Sequence, residues 1–297
     1  MVKRALVLSG GGSRGAYQVG AIKALFEAGR TYDTVHGISV GALNASWIAM
    51  HSPEEQPHSI KGLLDIWNNI NTSDDIFIRW NPIKPLNYLY SMWKGSLHSG
   101  QPLKRLVDTF LDSSKMIASG VKLTIGCVNL NTSEYTVIDG KNPHIKEFIL
   151  ASSHLPLVFE PILLDGEKWV DGGIRHQIPI YEALKERPDE IDVILTCPIS
   201  IRDRILPATN LTSAPRVALR ASEILSDQVY LMDCYTVLRA AKTLENVKIK
   251  VFIPTVSPNE NSMDFAKEKI QAGIKLGYDE TKTKLDSLGQ DLIELDI

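Results

Sequence analysis

The sequence predicts an α/β fold, a three-layer α/β/α arrangement with a mostly parallel central sheet and helices on both faces. Two observations carry this. The N-terminal quarter holds two successive units of short apolar strand, glycine-containing turn and apolar-periodic helix, which need a parallel sheet to bury them. Further along, apolar strand-like runs alternate with longer helical stretches. In order, RALVL (4–8) reads as a buried strand, SGGGSRG as a loop, and AYQVGAIKALFEAG as a helix that ends at Gly29. TVHGIS then reads as the second strand, and GALNASWIAM, rich in small residues, as a helix packed close to the sheet. VKLTIGCVNL and EYTVIDG are expected to be strands joined by an NTS turn, followed by a helix over HIKEFILASS. PILLDGEKWVDGG predicts a hairpin around Asp165-Gly166, and IDVILTCP another fully apolar strand. A long helix from Pro215 to about Glu245, a strand KIKVFIP and a last helix from about Ser262 complete the chain.

Residues 52–100 break this rhythm. Pro53, Pro57, Pro82 and Pro85 interrupt regular structure while Trp67, Phe77, Trp80, Tyr88, Tyr90 and Trp93 cluster there. The segment reads either as a lid or insertion that faces substrate, or as rings capping a core edge. It is counted within one domain spanning 1–297.

Composition narrows the function. With 297 residues, 44% hydrophobic and 23% charged, the chain can bury a large core. A net charge of -3 argues against binding nucleic acid through its phosphates. The three cysteines, Cys127, Cys197 and Cys234, lie far apart without C-x-x-C spacing, so neither a disulfide framework nor a zinc site is expected. No His, Cys or acidic cluster has ligand spacing, so neither metal nor other cofactor is expected. MVKRALVLSGGG is too short in its apolar part for a signal peptide, and no apolar run approaches the ~18 residues that span a bilayer. A cytoplasmic protein that meets a membrane only peripherally, at its surface, is the expectation; oligomeric state is not encoded in any motif.

Three motifs carry chemistry. Gly10-Gly11-Gly12-Ser13-Arg14-Gly15 falls where the first strand turns into a helix, so its backbone amides can face an anion, aided by the positive helix end. By itself G-x-G-x-x-G also suits a dinucleotide. That use wants an acid after the second strand, and Asp33 comes before it. After the second strand stands Gly37-Ile38-Ser39-Val40-Gly41, a G-x-S-x-G pattern suited to a nucleophile elbow, with the serine exposed on a tight turn between flanking glycines. Asp171-Gly172-Gly173 follows the strand EKWV, where a carboxylate can take a serine proton or merely cap its own turn. His36, His154 and His176 lie near these motifs and would be needed by a Ser-His-Asp triad, though each has an ordinary packing or surface role open to it. LPLVF and PILL, near Asp171, read as an acyl groove or as plain core.

The ordered set GGGSRG, GISVG and DGG, with ASSHLPLVFEPILLDGEKWVDGGIRHQIPIYEAL around the last, resembles the patatin-like phospholipase family over roughly residues 4–185. The closing MDFAKEKIQAGIKLGYDE resembles that family's C-terminal helix. The resemblance implies a lipid acyl hydrolase, of phospholipase A or lysophospholipase type, with a Ser-Asp dyad in place of a triad. Ser39 would then be the nucleophile, Asp171 the base and Gly10 to Gly15 the oxyanion loop, with Arg14 holding that loop in shape. His36, where the family usually has a small or apolar residue, and Gln177, where asparagine is common, depart from the pattern without touching the dyad. A nucleotide-binding protein and a catalytically silent lipid-binding relative are the competing readings.

Overall fold

After Arg4 every residue of the first strand is apolar, and both of its faces are buried: Leu6 and Leu8 enter one core, Ala5 and Val7 another. The computed structural model describes residues 2–79, 96–199, 212 and 214–287. Along the chain come β1 (Arg4–Leu8), α1 (Gly15–Glu27), β2 (Thr34–Gly37), α2 (Val40–Ala49) and α3 (Gln56–Asn68). Next are β3 (Ile78–Arg79), β4 (Ser96–Ser99), α4 (Gln101–Phe110), α5 (Ser113–Ala118), β5 (Lys122–Asn129), β6 (Tyr135–Asp139) and α6 (Ile145–Ser152). β7 (Leu157–Phe159), β8 (Ile162–Leu164), β9 (Glu167–Asp171), α7 (Ile180–Lys185), β10 (Glu190–Ile194), α8 (Ala214–Thr243), β11 (Lys248–Phe252) and α9 (Lys267–Ser287) follow.

The large sheet runs β11-β10-β1-β2-β5-β9-β8, parallel from β11 to β5. Helices α1, α2, α3 and α9 supply one apolar layer; α7 and α8 cover the other face around Ile180, Tyr230 and Val237. α1 and α9 touch backbone to backbone, because a Cβ at Gly20 would overlap the Ile274 carbonyl and one at Gly277 the Tyr17 carbonyl. All three cysteines are buried, and no disulfide joins them.

β5 is the hinge of the design. Its first half pairs with β2 in parallel, up to Gly37 opposite Ile125, and its second half pairs with β9 antiparallel, Asp171 opposite Cys127. Because β6 pairs with β5 across both stretches, β2 and β9 must share the other edge and meet head to head. The hairpin between β8 and β9 turns on Asp165 and Gly166, φ 52° and 81°, as the Asp-Gly pair predicts.

Two elements differ from the sequence reading. LPLVF supplies β7 of a separate small sheet, β3-β4-β7, which no local pattern announces. The last helix begins at Lys267, not near Ser262, because Asn259, Asn261 and Asp264 accept hydrogen bonds from the amides of Asn261, Met263 and Ala266 and hold a turn there. In the 52–100 segment α3 packs into the main core with Trp67 and Phe77 buried, whereas Trp80, Tyr88, Tyr90 and Trp93 lie outside the described residues.

Candidate active site

The elbow is built by close approach. β2 ends at Gly37, the chain reverses, and Ser39 sits at φ 57°, ψ -129° immediately before α2. This is a conformation that costs roughly 1–3 kcal/mol for a residue with a Cβ. The turn tolerates no bulk: a Cβ at Gly37 would strike the Gly41 carbonyl, and one at Gly41 the Leu8 carbonyl. The strain is braced by one bond chain, in which the Ser39 amide donates to Ser152 Oγ at 3.0 Å and that hydroxyl donates to the Gly126 carbonyl at 2.8 Å.

Asp171 arrives from the opposite direction on β9. Its side chain lies near that of Ser39, close enough for the hydroxyl to act on its carboxyl, and its Oδ1 accepts the Gly173 amide at 2.7 Å. The residue is 3% exposed. Burial pushes its carboxyl up to about 7, while the Gly173 amide and the Ser39 hydroxyl pull it back. Gln177, which departs from the common family residue, ties the turn down: its Nε2 donates to the Gly173 carbonyl at 2.9 Å and to Ser226 Oγ of α8 at 2.8 Å. Its carbonyl accepts the Gly10 amide at 3.0 Å.

In the glycine loop the amides divide into two sets. Those of Gly10, Ser13, Arg14 and Gly15 donate to protein carbonyls, of Gln177, Ser262, Gly11 and the Gly12–Ser13 pair respectively. Among the described residues none accepts from the amides of Gly11, Gly12 or Val40. Gly11 and Gly12 have φ 155° and 59°, and are walled in so that a Cβ would overlap Thr196 and the Ser262 carbonyl. The Arg14 guanidinium donates to the carbonyls of Asn259 at 2.7 Å and Glu260 at 2.9 Å, so it staples the loop to the segment after β11.

The histidines go elsewhere. His36 is fully buried between Thr124 Oγ1 at 2.7 Å and Thr34 Oγ1 at 3.1 Å, and burial lowers its pKa to about 3. His154 is buried, stacked on Phe159, with Nδ1 on the Glu160 carbonyl at 2.7 Å. His176 pairs with Asp233 at 3.5 Å, which raises its pKa. Asp33, the rival ribose ligand, precedes β2 and accepts the Arg4 amide, at the sheet end away from the glycine loop.

A cavity of about 680 Å³ lies over this constellation, reaching Ser39, Asp171, Gly11 and Gly12. One side is apolar, with Trp67, Ile70, Leu103, Phe159 and Phe265; the side given by α8 is charged, with Arg216, Arg220, Glu223 and Asp227. Phe159 of LPLVF does reach the cavity, whereas Leu163 of PILL is 68% exposed to solvent on the far hairpin. Sequence reasoning missed Ser152, Thr196 and Ser262, which brace the elbow and the loop. Only the adjacent serines at 152–153 offered a faint signal, and nothing local marked the other two.

The family model for patatin-like phospholipase matches residues 6–184. The Bacillus subtilis protein YqhO is 26% identical over 70% of this chain and 75% of its own. Triacylglycerol lipase 5 of Saccharomyces cerevisiae is 26% identical over 67% of this chain but only 30% of the lipase. Neuropathy target esterase sws of Drosophila melanogaster is 28% identical over 59% of this chain and 11% of the esterase, so the chain spans a minor part of both named enzymes. Human GIVD cytosolic phospholipase A2 shares the fold at TM-score 0.54 and 13% identity, over 97% of this chain and 58% of that one.

Proposed function

The chain belongs to the patatin-like phospholipase family, and from that membership we propose a serine acyl-ester hydrolase acting on lipids, of phospholipase A or lysophospholipase type, working through a Ser39–Asp171 dyad. The observation that carries this reading is the Asp171 carboxyl, buried, raised to about 7 and held near the hydroxyl of a serine on a strained elbow. A carboxylate with a pKa near neutrality is a far better base than one near 4. Ser39 Oγ attacks the ester carbonyl carbon as Asp171 takes its proton, and the carbonyl π pair moves onto oxygen. That oxyanion meets the unengaged amides of Gly11 and Gly12, with Val40 beside them. When the tetrahedral species collapses, the C–O bond to the alcohol or lysolipid breaks and Asp171 returns the proton to that leaving oxygen. Water then adds to the acyl-Ser39, deprotonated by Asp171, and the acid is released as Ser39 recovers its proton.

The acyl chain has the apolar side of the cavity available to it, and the alcohol part the charged side. The nucleotide-binding reading loses its acid, since Asp33 is at the wrong end of the sheet, and the silent-relative reading has to explain an intact Ser39–Asp171 contact. Ser39→Ala removes only the nucleophile, so hydrolysis of a short-chain p-nitrophenyl ester should fall ~10⁴-fold or more, together with loss of fluorophosphonate labelling. Retention of most of that activity would end the serine-hydrolase reading.

A further inference from the structure

α8 is a helix with two apolar faces. Tyr230, Cys234 and Val237 point into the core beneath the sheet, as a surface helix requires. On the opposite side Val217, Ala221, Ile224, Leu225, Met232 and Tyr235 recur at 3, 4 and 7 residue spacings, which places them in one arc of about 100°. All are exposed, Leu225 by 68%, Met232 by 56%, Ile224 by 51%, Val217 by 49% and Tyr235 by 44%. From Val217 to Tyr235 the stripe runs about 27 Å at 1.5 Å per residue. Water-facing surfaces scatter such residues singly; six along one arc, interrupted only by exposed Gln228 between Leu225 and Met232, mark a surface that is covered when the protein works.

Two features say what covers it. The charged residues that fall within the arc are Arg239 and Lys242, and Asp227, Glu223 and Asp233 all lie outside it, so the face is apolar with a basic end. Aliphatic side chains with basic neighbours match the acyl boundary and anionic headgroups of a lipid bilayer, whereas a protein partner would call for mixed charge at the rim. The stripe also borders the cavity, because exposed Ile224 lines it, as does Arg220 on the adjoining flank. We propose that the exposed face of α8 docks on an anionic phospholipid surface and delivers lipid from it across Ile224 into the cavity. This rests on the lipid-hydrolase reading for what is delivered, but the docking itself does not.

The test therefore separates docking from hydrolysis. In the Ser39→Ala protein, flotation with vesicles of phosphatidylcholine and phosphatidylglycerol should show binding, and Leu225→Asp with Met232→Asp should reduce the partition coefficient at least tenfold. Arg239→Glu with Lys242→Glu should weaken binding to these vesicles severalfold and leave the weaker binding to pure phosphatidylcholine unchanged. With Ser39 present, Leu225→Asp/Met232→Asp should retain activity on a soluble short-chain ester while losing at least tenfold on vesicles. Failure of the parent to bind any vesicle, or unaltered partition in the double variant, overturns the proposal. So does a dimer in light scattering that Leu225→Asp/Met232→Asp turns into monomer, since the stripe would then serve a second copy of the chain. If the Ser39 protein hydrolyses no ester yet binding still follows the stripe, the docking inference stands and the hydrolase reading falls.

Discussion

A carboxyl held at about 7 is roughly half ionised at neutral pH, and only its ionised form can take the Ser39 proton. The rate should accordingly follow Asp171: kcat/KM on a soluble ester rises with pH to a plateau, with a midpoint near 7. Asp171→Asn keeps the shape, still able to accept the Gly173 amide, yet supplies no base, so activity should fall by at least ~10²-fold. A Ser-His-Asp triad would also lose activity on that change, so the histidines decide. His36→Ala, His154→Ala and His176→Ala should each stay within about tenfold of the parent, because their rings are engaged with threonines, the Glu160 carbonyl and Asp233. One of them matching the Ser39→Ala loss, while folded by circular dichroism, would make that histidine the base. Ser39 and Asp171 were legible in the sequence because each follows an apolar strand and is set among glycines. Their contact was not, since no spacing rule brings residue 171 to residue 39.

At the level of elements, the contact comes from β5, which accepts β2 on one half of an edge and β9 on the other. The strands themselves could be read from apolar runs, but not the fork, because strand pairing across more than 40 residues leaves no periodic trace in either partner. The glycine loop was legible as an anion cradle, and the structure narrows it: four of its six amides are engaged with protein carbonyls, leaving Gly11 and Gly12 for a developing oxyanion. Gly12 carries the sharper consequence, with φ 59° and the Ser262 carbonyl where its Cβ would go. Gly12→Ala must move that backbone and tilt the amide away, so kcat should drop by ~10² to 10³, the usual loss for one oxyanion donor, with KM little changed. A raised KM with kcat spared would make the loop a binding element instead.

For the molecule as a whole, the three-layer parallel architecture was legible because β1 is apolar at four successive positions, Ala5 to Leu8, and only a strand covered on both faces needs that. β10 is not fully apolar as read, since Asp192 sits buried between Ile191 and Val193, held by Arg30 and Tyr32. The exposed stripe of α8 was hidden by a related logic, since two apolar faces on one helix cannot be told apart in the sequence as covered and uncovered. A buried titratable group also shapes global stability, and the sign follows from its direction. Asp171 holds its proton to about 7 when folded, against roughly 3.9 in an unfolded chain. Its contribution to stability is fully present below the unfolded value and is lost as pH rises through the folded one. His36 and His154, lowered by burial, act in the opposite sense: their contribution is present above about 6.5 and is lost as pH falls. Comparing Asp171→Asn with the parent cancels the histidines and isolates the aspartate. At pH 8 the parent must carry an ionised carboxylate in a dry site, and the neutral amide removes that burden, so the variant should be more stable by an amount on the order of a few kcal/mol. At pH 4, where the parent carboxyl is itself neutral when folded, the two melting temperatures should converge. Thermal unfolding of both proteins across that range measures the difference, and a variant no more stable than the parent at pH 8 would mean that Asp171 is not held against its ionised form by burial.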